Sequence, residues 1–244
     1  MINEKAFLQI PLDFEKGVKI YPPTVKEVFG NKYFPMYRQL LLSSQEDIED
    51  TLVKEKPDLK QFPTPLDFLF GVIQDKKMEF LAKKGFDFFI KDKVTFLPKQ
   101  KMIIIGDLQN KLSTIKNIEE LPILNEENFL KFQNLLRLSI GEKKVEPPDP
   151  NEHPRIKKIK AKARERDRVK TKQNGASFGV TLTSICCMGI GITPLNIGEM
   201  SYASVSAIIE RYQAKEKYEL DIQSMLAGAK GVQPKYWIRD LDKD

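Results

Sequence analysis

Residues 142–175 read EKKVEPPDPNEHPRIKKIKAKARERDRVKTKQNG, and this stretch divides the chain. Pro147, Pro148, Pro150 and Pro154 each fix φ and lack an amide donor, so no regular element runs through them. Ten basic residues follow: Arg155, Lys157, Lys158, Lys160, Lys162, Arg164, Arg166, Arg168, Lys170 and Lys172. Only Glu165 and Asp167 oppose them, and Ile156, Ile159 and Val169 are the larger apolar residues of the run. Asn174-Gly175 closes it as a turn signal. The stretch reads as a Pro-rich, basic linker over 142–175, partly helical at most, between a domain at 1–141 and another at 176–244.

The net charge of the 244-residue chain is +6, and the run from Arg155 to Lys172 alone carries +8, which leaves −2 for the rest. Basicity is therefore local and not a property of the folded body. Hydrophobic residues make up 41% and charged residues 30%, enough apolar material for a core and too much for disorder throughout. The opening MINEKAFLQI lacks the basic head and apolar middle of a signal peptide. Residues 176–195 carry no charge over nearly the length that spans a bilayer, but four breaks (Gly179, Gly189, Gly191, Pro194) and the hydroxyls of Thr181, Thr183 and Ser184 point to a shorter core helix and no membrane span.

Upstream of the linker the chain reads as short helices. Thr24 caps a helix over 25–29, and 33–42 is a second. Ser44 with Glu46 and Asp47 opens a third, reaching about residue 54. Thr64-Pro65 is a cap followed by proline at the first helical position. After Gly85 the pattern changes. Residues 86–90 are aromatic and apolar, 91–93 form a polar turn, and 94–97 and 102–105 follow with Pro98 and Gly106 as breaks. This reads as an antiparallel meander of two or three strands. Asn125 then starts a helix with Phe129, Phe132 and Leu136 on its core face, and Gly141 ends it.

Downstream, 180–188 is an apolar helix. Ser201 caps another in which Val205, Ile208, Ile209 and Tyr212 recur at helical spacing, as do Tyr218, Ile222, Met225 and Leu226, and Gly228 stops it. The fold class is α+β: mainly α-helical with a small antiparallel meander, and a helical C-terminal domain after the basic linker.

No catalytic, cofactor or metal site emerges from these residues. The single histidine, His153, sits in the proline segment, and Cys186 and Cys187 are adjacent, poor geometry for a disulfide and too few ligands for zinc. Both cysteines read as small hydrophobes packed in a core in a reducing compartment. Gly189-Ile190-Gly191 lacks the third glycine and the lysine of a phosphate loop. Two features remain as binding candidates. The basic run reads first as a solvated, charge-rich linker; it would also attract a polyanion in a salt-sensitive way, although it has no aromatic residue for base stacking, and docking on an acidic protein is the remaining alternative. Tyr236, Trp237 and Arg239 in the tail either fold back on the C-terminal helices or anchor a partner.

A resemblance rests on the C-terminal words PLNIGEMSY (194–202), AIIERYQAKEKY (207–218), SMLAGAK (224–230) and KYWIR (235–239). They resemble the C-terminal region of tail-assembly chaperones and related structural proteins of tailed bacteriophages of Gram-positive hosts. The layout is similar too, with an opening Tyr21-Pro22-Pro23-Thr24, a small strand pair, a capped helix and a charged linker. The resemblance implies a non-enzymatic role in virion morphogenesis: coating the phage tape-measure protein in the host cytoplasm and recruiting tail-tube subunits. Such chaperones are made in short and long forms, and 142–175 would suit the junction. A structural tail, baseplate or connector protein, found in the virion, is the alternative, and a nucleic-acid-binding protein acting through 155–172 is a further one. A homo-oligomer is compatible with each.

Overall fold

A computed structural model describes residues 4–49, 64–106, 121–146, 152–153, 155–156, 159–164, 166 and 178–238. The chain is α+β, mainly helical with a small antiparallel sheet content. The elements run α1 (Glu4–Phe7), β1 (Leu12–Asp13), β2 (Lys19–Ile20), α2 (Val25–Gly30), α3 (Phe34–Leu42), α4 (Gln45–Asp47), α5 (Pro65–Val72), α6 (Lys76–Ile90), β3 (Val94–Leu97), β4 (Met102–Ile105), β5 (Ile123–Leu124), α7 (Glu126–Ser139), α8 (Phe178–Cys187) and α9 (Tyr202–Leu226). β1 pairs with β2, and β3-β4-β5 form a second antiparallel sheet.

The helix starts form where the capping chemistry lies. Thr24, Ser44 and Asn125 each close a reciprocal box with Glu27, Asp47 and Asn128, and Thr64 accepts from the Asp67 amide ahead of Pro65. Most of the helix expected from Ser44 to about residue 54 lies outside the described residues. The end of α7 is a Schellman turn. Gly141 (φ +76°) donates to the Leu138 carbonyl and Glu142 to that of Arg137.

One expectation is corrected. Residues 86–90, grouped with the strands after Gly85, are the last turns of the single helix α6. Asp75 caps it by accepting from the Lys77 and Met78 amides, and the buried Leu81, Gly85 and Phe89, with Ala82, Phe86 and Ile90, recur every four residues. Gly85 is no break but a point of close approach, since a Cβ there would stand 3.0 Å from Leu41 Cδ1 of α3. The helix ends at Lys91 in the left-handed region (φ 54°). The third strand is β5 instead, with Leu124 opposite Ile103.

The main core gathers around α3, α6, α7 and the three-stranded sheet. Phe132 is fully buried, stacked on Phe86 at 5.7 Å and edge-on to Phe14 at 5.4 Å. Phe129 and Leu136 join it, as their spacing predicts. A second cluster combines Val25 of α2 with Ile185, Ile192, Ile197 and Val205. Segments near residues 7–25 and 185–205 therefore meet along a seam. The Tyr202 amide donates to the Pro23 carbonyl and the Val25 amide to that of Met200, both at 2.9 Å, and the hydroxyls of Ser201 and Ser204 donate to the Phe7 carbonyl.

The cysteines also need correction. Cys186 is half-buried against the second cluster, whereas Cys187 is exposed. Ile185 takes the inward position of α8, and a residue two positions further along a helix turns about 200° away from it. On α9, Val205 is fully buried, while Ile208, Ile209 and Tyr212 are half-buried. The distal half leaves the body with Leu220, Met225 and Leu226 exposed. At 25 residues the helix is about 38 Å long, enough to reach well past its root.

Candidate partner-binding site

The seam opens into a cleft of about 590 Å³ between α2, α3 and the root of α9. Its apolar wall comes from Val28, Phe29, Phe34, Ile140 and Tyr202. Local chemistry sets each of these. The Thr24 box directs α2 so that Val28 faces inward while Phe29 stays half exposed; the Asn31 carboxamide accepts from the Tyr33 amide and turns the chain into α3; the Ser201 cap starts α9 at Tyr202. The Tyr202 ring lies 6.1 Å from Phe34 and 6.5 Å from Phe29. Burial pushes its phenol above the ordinary value, partly countered by Arg38.

A second, more polar cleft of about 270 Å³ adjoins it, and the two share Pro35, Arg38 and Glu142. Here Arg38 Nε of α3 donates to Glu142 Oε1 at 2.5 Å, and Arg137 Nη1 of α7 donates to Glu142 Oε2 at 3.3 Å. Arg137 also donates to the Leu42 carbonyl and reaches Asp47 Oδ2 at 3.5 Å. Its side chain is only 13% exposed, against 58% for Arg38 and 23% for Glu142. Two guanidinium groups on separate helices thus converge on one carboxylate. Sequence reading missed this arrangement. Its only local trace is Gly141, whose turn places Glu142.

The candidates drawn from the sequence lie elsewhere. Of the basic run, Arg155, Lys160, Lys162, Arg164 and Arg166 are described, whereas Lys157, Lys158, Arg168, Lys170 and Lys172 lie outside the described residues. Lys160 and Arg164, one helical turn apart, face acids: Lys160 Nζ meets Glu152 at 2.5 Å and Arg164 Nη1 meets Glu46 at 2.7 Å. The Glu152 carboxylate holds the Lys160 ammonium above its usual pKa. Arg155, Lys162 and Arg166 are exposed. In the tail, Tyr236 packs edge-on against Tyr218 of α9 at 5.6 Å, and Arg211 donates to the Trp237 carbonyl at 2.7 Å. Trp237 is half-buried there, and Arg239 lies outside the described residues. Arg164 and Tyr236 thus rest on different elements, one on the start of α4 and the other on α9.

His153 is exposed and accepts the Arg155 amide at its Nδ1. Among the described residues no three His, Cys, Asp or Glu side chains gather as a metal site, and no helix is long and apolar enough to cross a membrane. Compared with known protein families, curated proteins and solved structures, the chain matches none of them.

Proposed function

We propose that this chain is a non-enzymatic tail-assembly chaperone of a tailed bacteriophage, acting in the host cytoplasm on the tape-measure protein and tail-tube subunits. The observation that supports a binding role is the seam cleft, walled by two short helices and the root of a third. A groove of this kind accepts an amphipathic helix, whose apolar side chains enter at i, i+3/i+4 and i+7. Its volume lies within the range of about 300–1,000 Å³ typical of binding clefts. The C-terminal sequence words supply the phage assignment.

Co-expression with a phage tape-measure protein tests the proposal. The expected result is a co-eluting complex and a more soluble tape-measure protein. Separate elution in mild salt, with no gain in solubility, refutes it. Stoichiometric recovery of the chain from purified virions would favour the structural alternative.

A polyanion-binding reading has its own support in the exposed Arg155, Lys162 and Arg166. Binding to a generic DNA duplex should then fall steeply with salt, and changing all three to Gln should reduce the slope by about 0.9 for each phosphate no longer neutralised. An unchanged slope removes this reading.

A further inference from the structure

Glu142 has the geometry of an internal ligand. Its backbone is fixed by the Schellman turn, with its amide on the Arg137 carbonyl at 2.8 Å, but its carboxylate reaches Arg38 and Arg137 through a flexible side chain that borders both clefts. The side chain can therefore swing away while the fold stays in place. Arg137 is less free to follow. Arg137 is nearly buried and also tied to the Leu42 carbonyl and Asp47, so its planar fork is already aimed. Two arginines and two carboxylates, Asp47 and Glu142, line the polar cleft. Withdrawing the Glu142 carboxylate leaves two arginines facing the single Asp47 carboxylate, an excess of one positive charge with Arg137 at low exposure and Arg38 open to solvent, and a second carboxylate can take the vacated place.

We infer that the paired clefts take an acidic amphipathic helix, whose apolar stripe enters the seam cleft and whose glutamate or aspartate exchanges with Glu142 between Arg38 and Arg137. This inference rests on the groove-binding reading above and adds the partner's chemistry and a built-in competitor. Charge complementarity selects an acidic helix, and the adjoining apolar wall of Phe29, Phe34 and Tyr202 selects a helix over a phosphate or a bare nucleic-acid backbone. Because Glu142 fills the anion position in the free chain, partners without a carboxylate there gain nothing to offset its displacement.

The test uses the full chain and three synthetic helical peptides of about 18 residues, long enough to hold helical structure. They share one leucine stripe and carry Glu, Gln or Lys on its flank. The Glu peptide should bind, the Gln peptide about tenfold more weakly, equivalent to about 1.4 kcal/mol, and the Lys peptide more weakly still. Arg38→Gln, at an exposed position, should erase the Glu-over-Gln preference. Glu142→Gln should tighten the Glu peptide severalfold by removing the competitor. Melting curves establish that both variants fold, and chemical shifts of Tyr202 and Phe29 locate the peptide. Equal binding by the three peptides, binding by none, or an intact E142Q variant that binds the Glu peptide more weakly than wild type overturns the inference. If the tape-measure complex forms while the peptides show no charge preference, only the acidic-helix inference falls; if neither binds, both readings fall.

Discussion

Gly141 joins the end of α7, the seam and the placement of Glu142, so Gly141→Ala measures how much that junction contributes. Two penalties are expected. The residue sits at φ +76°, where a side chain costs about 1–2 kcal/mol. Its Cβ would also stand 3.0 Å from the Ala203 Cα and 3.4 Å from the Ala203 carbonyl oxygen. These are backbone atoms of the opposing helix, so α9 itself must shift, and overpacking of this kind costs about 1–3 kcal/mol. Loss of unfolded-state freedom returns about 0.4–1 kcal/mol. The net loss is about 1–5 kcal/mol, and each kcal/mol lowers the midpoint of a chain this size by about 2–4 °C. Gly228→Ala is the matched control, since it has φ +91° but nothing within 4 Å of the added methyl. It should cost only the backbone penalty less the returned freedom, about 0–1.6 kcal/mol, without the clash against α9. Thermal melts followed by far-UV circular dichroism compare the two. Midpoints that coincide within about 2 °C would refute the claim that Gly141 is required by a tertiary contact as well as by its turn.

Two further outcomes follow from the core and the caps. Phe132→Ala removes a fully buried ring held between Phe86 and Phe14 and should cost about 3–5 kcal/mol in urea unfolding; a loss below about 1 kcal/mol would mean that the stack is not central. Asp67 carries a pH signature. Burial raises its carboxyl pKa, but Lys101 at 2.5 Å and the Thr64 hydroxyl and backbone outweigh that and hold it below the usual value. A depressed folded-state pKa contributes stability above the unfolded value, and that contribution is lost as pH falls through the folded one. Asp67→Asn should therefore destabilise by up to about 1 kcal/mol at pH 7, discounted for the exposed lysine, with the gap closing below about pH 3.9. A gap that does not narrow as pH falls below about 3.9 contradicts the ionic origin.

Much of the local architecture was legible in the residue order. Thr24, Ser44, Thr64, Asn125 and Ser201 all cap the helices they precede, because a cap is a bond between a side-chain oxygen and an amide two or three residues ahead. β3 and β4 were legible for a similar reason, bounded by a polar turn, Pro98 and Gly106. The reading of 86–90 failed because aromatic residues are common both in strands and on the buried face of a helix. Asp75 and the spacing back to Leu81 carried the answer, but Gly85 hid it by resembling a break.

Nothing in the chain's local pattern announces that Arg38 will face a carboxylate 104 positions away, or that Ala203 will press on Gly141. Those contacts exist because α3, α7 and α9 pack together, and each pairing depends on where distant backbones come to rest. Turns, caps and periodicity are set within a few bonds, so the sequence by itself dictates them. The seam and its two-arginine junction are set by packing, and that required the folded chain.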